Sequence, residues 1–200
     1  MNSLDFQTST SLQRLAGKHA LLTGVAGGIG LSVLTAYLRE GANCTAVDLP
    51  QEPSEGLLRL MQMFPNALHY VSADVARQDS IDTMLKAASD RFGPVQILFN
   101  NAATFTMGPL LEQGPADFDF VFNVNVKGMF FVMQAVLKQM VAHGIPGSVI
   151  NMASQAATVA LALSSTSGAP WETKRTGCRL IWGLLTAVHR LPALMQTNFR

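Results

Sequence analysis

A chain of 200 residues, 48% hydrophobic and 14% charged, suits one domain with a sizeable core and is too apolar to be disordered. A net charge of +1 gives no reason to expect nucleic acid or an acidic surface as partner. Cys44 and Cys178 form no disulfide framework, and with four scattered histidines they offer no metal-ligand spacing, which fits a reducing compartment and no metal site.

Residues 1–16 read as a polar lead-in arm; they lack the basic start and continuous apolar core of a secretory signal. No charge-free apolar run reaches membrane-spanning length, so a soluble, cytoplasmic chain is expected. Lys18–Gly30, KHALLTGVAGGIG, comes next. Ala20, Leu21 and Leu22 have the pattern of a strand covered on both faces. Thr23 and Gly24 end it, and Ile29, Val33, Leu34, Tyr37 and Leu38 open a helix. The intervening spacing is T-G-x-x-x-G-x-G, with Thr23, Gly24, Gly28 and Gly30 at its fixed places. Glycines let backbone approach a nucleotide pyrophosphate, and a helix N-terminus offers it free N–H groups and partial positive charge. An ordinary tight strand-to-helix turn is the alternative.

Gly41 stops the first helix. Strand 44–49 (CTAVDL) follows, then a helix opened by Pro53 and Ser54 and ended by Pro65 and Asn66. Residues 68–72 form a third strand, followed by Asp74 and Val75. A helix from about Ser80 to Phe92 ends at Gly93-Pro94, and strand 95–99 runs into Asn100-Asn101-Ala102-Ala103. A long helix spans about 116–143, and strand 148–152 follows the Gly144–Gly147 turn. Such strand–helix alternation predicts an α/β fold with a doubly wound parallel sheet, Rossmann-like, joined by right-handed crossovers. Asp48 ends the second strand 18 positions after Gly30, where a carboxylate can accept hydrogen bonds from the adenosine ribose hydroxyls and repel a 2′-phosphate. No Lys or Arg stands beside it or in the glycine turn, so NAD is favoured over NADP. A solvent-facing Asp starting a turn before Pro50 is the other reading.

TGVAGGIG, Asp48, Asp74-Val75, NNAA at 100–103, VNVKG at 124–128 and VINMAS at 149–154 stand in one order and spacing. Over roughly residues 15–157 the chain resembles the classical short-chain dehydrogenase/reductase family. The resemblance implies that Asp74 bonds the adenine amino group and Val75 packs on the ring. It implies that Asn100 and Ala102 line the cofactor, with the NNAA segment also holding the sheet together. Thr23, Gly24, Gly28, Ile29, Gly30 and Asp48 complete the cofactor site. Asn125 would kink its helix and hold a water of the proton relay, and Ser154 would hydrogen-bond the substrate oxygen. The implied activity is NAD-dependent oxidation or reduction of a secondary alcohol or ketone. VINMASQAA looks most like the polyol (sorbitol-type) members, with an acyl-carrier-protein ketoreductase as the nearest alternative.

The chain departs from the family at its acid/base. The family places a Tyr about a dozen residues after that Ser and a Lys four further on, the Lys lowering the phenol's pKa. Here Tyr37 and Tyr70 both lie far upstream, and Pro170 stands four positions before Lys174. Composition shifts at the same place. Residues 1–157 hold nine Lys/Arg against twelve Asp/Glu, and residues 158–200 hold five against one, with Trp171 and Trp182. Three segments result: the arm at 1–16, a dinucleotide-binding unit at 17–157, and an atypical tail at 158–200 in which the C-terminal strands and helices are truncated or replaced. Leu180, Leu184, Val188 and Leu191 form a helical stripe there, which Pro192 argues against as a membrane element. Impaired turnover is expected. The alternatives are a catalytically silent nucleotide-binding or interaction protein, and an unstable frame-shifted or alternatively spliced ending. Family members pair through the long helix and the one after it, so the family's homo-oligomer is doubtful here.

Overall fold

Each apolar run between the turn residues pairs edge to edge with another, because a strand buried on both faces can satisfy its backbone only through its neighbours. The structure, a computed structural model, describes residues 12–106 and 112–153. The elements, in chain order, are β1 (His19–Thr23), α1 (Gly28–Arg39), β2 (Asn43–Asp48), α2 (Glu55–Met63), β3 (Leu68–Ser72), α3 (Gln78–Phe92) and β4 (Ile97–Asn100). Then come α4 (Pro115–Phe122), a π-helical segment (Asn123–Gly128), α5 (Met129–Ala142) and β5 (Ser148–Asn151). The strands form one five-stranded sheet in the order β3-β2-β1-β4-β5, every pair parallel. The doubly wound parallel architecture read from the alternation is the one observed. The tail at 158–200 lies outside the described residues.

Period-two alternation sorts the sheet residues into two cores. Leu21, Val47 and Leu98 face one layer with Met84, Ala88, Val132 and Val136 of α3 and α5. Ala20, Leu22, Cys44, Ala46 and Phe99 face the other with Leu34, Leu38, Leu57 and Leu60 of α1 and α2. Central strands need apolar residues on both faces, which is why β1 is buried along its whole length.

Several expectations shift. The lead-in is not wholly a frayed arm. Leu15 packs on the second core and its N–H donates to Glu40 O, while Arg14 pairs with Glu40 at 3.0 Å. Residues 1–11 lie outside the described residues. Ile29 does not belong to the buried stripe of α1, which consists of Gly30, Leu34 and Leu38; Ile29 is 56% exposed. The helix expected from Ser80 starts at Gln78, and the Ser80 hydroxyl accepts the Asp74 N–H instead. Val95, read as the start of the fourth strand, gives its N–H to the Gln139 side chain. The long helix is not α-helical throughout but passes through the π-helical segment.

Pro115–Ala142 is 28 residues of continuous helix, long and apolar enough by length and composition to cross a membrane, with a mean hydropathy of 1.5 in its most apolar window. Met129, Val132, Met133, Val136 and Met140 are buried against the sheet, whereas Phe118, Phe120, Phe130 and Val141 of the same stretch are exposed.

Candidate functional site

Parallel strands bring their C-terminal ends to one edge of the sheet. There Thr23, Asp48, Ser72, Asn100 and Asn151 end their strands in a row. The connections reverse direction between β1 and β4, and a crevice at such a switch point is where open α/β sheets take ligands. Thr23, Val75, Asn100, Ala102, Met129 and Val132 line a small cavity at this place.

The glycine turn crosses the mouth of the crevice. Gly24 has φ +69, and a Cβ there would lie 2.7 Å from Ala102 Cα. A Cβ at Gly30 would lie 2.0 Å from Gly24 O. These two glycines are needed by the protein's own backbone. Gly27 and Gly28 border open space, with Gly28 at φ +52. The room for a ligand's close approach is therefore at Gly27 and Gly28, not spread over the whole motif. Gly27 is the N-cap of α1 and supplies no side-chain cap, and the first turn has no acidic residue. The first N–H groups of α1 thus keep their partial positive charge for an incoming anion.

Asp48 stands beside this turn. Its Oδ2 accepts the Ala26 N–H at 2.7 Å and its Oδ1 accepts the Leu49 N–H at 2.8 Å. A carboxylate has about four acceptor positions, so two remain for hydroxyl donors. Asp74 Oδ1 accepts the Ala76 N–H at 2.8 Å, an Asx turn that shapes the chain after β3. Val75 is buried against α5, and its carbonyl would lie 2.7 Å from a Cβ at Gly128.

The NNAA segment is pinned from both sides. Thr23, 1% exposed, accepts the N–H groups of Asn101 and Ala102 at its Oγ1, both at 3.1 Å. Asn101 Nδ2 donates to Gly24 O at 2.7 Å, fastening β4 to the glycine turn. Asn100 Nδ2 donates to Asn151 Oδ1 at 2.9 Å, fastening β4 to β5. Asn125 lies in the π-helical segment, where its Oδ1 accepts the Thr104 N–H at 2.8 Å and its Nδ2 donates to Thr104 O at 2.7 Å. That reciprocal pair secures the segment after NNAA to the helix. Ser154 lies outside the described residues; β5 ends three positions earlier, at the same edge as Asn100.

Tyr37 and Tyr70 are both remote from β5. Tyr37 is on α1 and Tyr70 on β3, the opposite edge strand. Burial raises both phenol pKa values, for Tyr70 with help from the Asp48 and Glu52 charges, which moves them away from neutral acid/base work. Burial pushes the Cys44 thiol up to about 12, so it is no nucleophile. Among the described residues no group of three or more His, Cys, Asp or Glu comes together to hold a metal. The residues that sequence reasoning passed over are Gly27, Asn101, Thr104 and Gly128. The Asn doublet and the glycine of VNVKG were visible, but their partners lie in other elements.

A family profile described as short chain dehydrogenase matches residues 18–169. The chain is 43% identical over 143 residues to sorbitol dehydrogenase from Cereibacter sphaeroides, covering 72% of this chain and 55% of that protein. It is 40% identical over 148 residues to D-threitol dehydrogenase from Mycolicibacterium smegmatis, covering 74% of this chain and 56% of that protein. The chain thus spans little more than half the length of these relatives. The apo form of LigO from Sphingobium sp. strain SYK-6 superposes with a TM-score of 0.72 at 25% identity, covering 90% of this chain and 62% of that one.

Proposed function

The chain belongs to the short-chain dehydrogenase family, and from that premise we propose that it binds NAD in preference to NADP, at a site built for the oxidation of a polyol's secondary alcohol. The observation that carries the reading is the 2.7 Å hydrogen bond from the glycine turn to Asp48. It sets a carboxylate with spare acceptor capacity next to an uncapped helix N-terminus, and that combination fits a dinucleotide. The α1 N–H groups at the open Gly27–Gly28 turn hold the pyrophosphate. Asp48 accepts the ribose hydroxyls and repels a 2′-phosphate. Asp74 and Val75 serve the adenine, while Thr23, Asn100 and Ala102 form the floor. Ile29, exposed at the start of α1, covers one side.

A bound nicotinamide nucleotide supplies hydride acceptance or donation. The chain's own part is to position substrate and handle the proton. Ser154 steadies the substrate oxygen, and Asn125 sets a water beside it. The polyol assignment follows from the sorbitol and D-threitol dehydrogenases among the relatives.

Proton exchange is the weak step. Neither tyrosine of the sequence stands near β5, and general acid/base help contributes roughly 10²–10⁴-fold in rate. A catalytically silent nucleotide-binding protein is therefore the second reading, and the remote placement of Tyr37 and Tyr70 is the observation that favours it. Titration of the full chain with NADH and NADPH, followed by an assay of NAD-linked sorbitol oxidation, separates the two readings. Tighter NADH binding, narrowed by Asp48→Ala, supports the nucleotide site, and tighter NADPH binding overturns it. Absent turnover supports the silent reading, whereas measurable polyol oxidation shows that another group does the work of the phenol.

A further inference from the structure

We propose that Tyr70 and Ser72, two hydroxyls of β3, are positioning residues that clamp the Leu49–Pro50 turn and through it orient the Asp48 carboxylate; this rests on the nucleotide site proposed above. The strand register brings them there. β3 pairs with β2 so that Tyr70 lies opposite Ala46 and Ser72 opposite Asp48. Two positions apart, both side chains leave the same face of the sheet.

Each hydroxyl reaches one of two consecutive carbonyls. The Tyr70 phenol donates to Pro50 O at 2.5 Å, and Ser72 Oγ donates to Leu49 O at 3.1 Å. The Leu49 N–H, on the other side of that residue, donates to Asp48 Oδ1 at 2.8 Å. Asp48 is therefore held at both oxygens, by the glycine turn on one and by the clamped turn on the other.

The Ala73 N–H donates to Asp48 O at 2.8 Å and fastens the end of β2, but the side chains of the turn itself are not anchored. Leu49 is 64% exposed and Pro50 is exposed, so no buried side chain anchors either residue. Proline stiffens its own φ and biases Leu49 toward extended backbone, but it does not fix where the turn sits against β3. Two hydrogen bonds from a neighbouring strand do fix it. Removing the Tyr70 hydroxyl leaves the ring, which packs on the second core, so the clamp can be cut without opening a cavity.

The test is a double-mutant cycle on NADH affinity in the full chain, read by NADH fluorescence, with urea midpoints measured alongside. Tyr70→Phe and Ser72→Ala should each weaken NADH binding about two- to tenfold, the range expected for one neutral hydrogen bond, and should lower the preference for NADH over NADPH. In an Asp48→Ala background neither substitution should weaken binding further, because the group they orient is gone. Ser72→Thr, which keeps the hydroxyl, should retain parental affinity. Equal losses with and without Asp48 would make the hydroxyls merely structural and overturn the proposal. So would unchanged affinity in Tyr70→Phe and Ser72→Ala while Asp48→Ala weakens binding. If the parental chain binds no NADH, or Asp48→Ala binds it as well as the parent, the nucleotide site itself fails and the clamp with it.

Discussion

Gly27 and Gly30 stand three positions apart and are glycine for different reasons. At Gly30 a methyl group would meet the Gly24 carbonyl oxygen at 2.0 Å and the Asn101 side-chain nitrogen at 2.8 Å, and the Gly24 backbone cannot swing aside as a flexible side chain would. Gly30→Ala should therefore lower the urea midpoint by the equivalent of about 3 kcal/mol or more, the upper end for overpacking. Gly27 is extended and open, so Gly27→Ala should cost about 1 kcal/mol or less in folding. Its effect should fall on NADH affinity, where the new methyl faces the ligand. A Gly27→Ala chain that binds NADH as tightly as the parent would remove this turn from the site. His19 supplies a pH-dependent case. It is buried, its Nδ1–H donates to Gly93 O at 2.8 Å, and its Nε2 accepts the Thr45 hydroxyl at 2.9 Å. Burial lowers its pKa from 6.5, outweighing the carbonyls of Gly93 and Pro94 that favour the charged ring. Because the folded value lies below the unfolded one, stability is complete above about pH 6.5. It declines as pH falls from there through the folded value, while the unfolded chain takes up a proton that the folded chain refuses. His69, also shifted down by burial and by Arg91, adds to the same slope. Urea midpoints between pH 7.5 and 5 should fall in the parent and fall less in His19→Gln; identical slopes would clear His19.

The helical stretch 115–142 is the element in which shape and function meet. Its π-helical segment carries Asn125 at the Thr104 backbone and Gly128 at the Val75 carbonyl. A π-helical segment widens the helix by one residue and turns the side chains that follow, and such segments are frequent at functional sites. Gly128 decides how close this stretch lies to the chain leaving β3. Alanine would gain about 1 kcal/mol of helix propensity but would push a Cβ within 2.7 Å of Val75 O. Overpacking costs typically 1–3 kcal/mol, and the obstacle here is backbone, so the clash wins. Gly128→Ala should destabilise the chain in urea and weaken adenine binding through Val75, measurable as reduced AMP affinity. A stabilised Gly128→Ala variant would show that the helix can shift outward freely.

At the scale of the whole molecule, β5 pairs with β4 alone among the described residues, and Ser148, Ile150 and Met152 are exposed along it. Phe118, Phe120 and Phe130 on α4 and α5 are exposed as well. Apolar surface beside a strand edge that no described residue pairs invites association between chains. The purified chain should bind an apolar dye under native conditions. Ile150→Lys, which charges the edge at a side chain 40% exposed, should reduce light scattering and raise the soluble fraction without changing the far-UV spectrum. Equal scattering in the variant would place the association elsewhere.

The alternation of apolar strands and amphipathic helices, the glycine turn, Asp48 and the Asn100 segment were legible in the sequence, because each rests on local pattern: period two, period 3.6, or a backbone conformation open to few residue types. The parallel sheet followed, since helices between short apolar strands leave little choice but crossovers onto one sheet. Tertiary structure alone decided which glycines face the protein and which face open space, since Gly24 and Gly30 are confined by backbone in the same turn and in the chain after β4. It alone joined Asn101 to Gly24, Asn125 to Thr104, and Tyr70 and Ser72 to the turn after Asp48. Those hydrogen bonds span between 20 and 77 positions of sequence, a range at which no local preference acts and only the register of the strands and the path of the helices choose the partner.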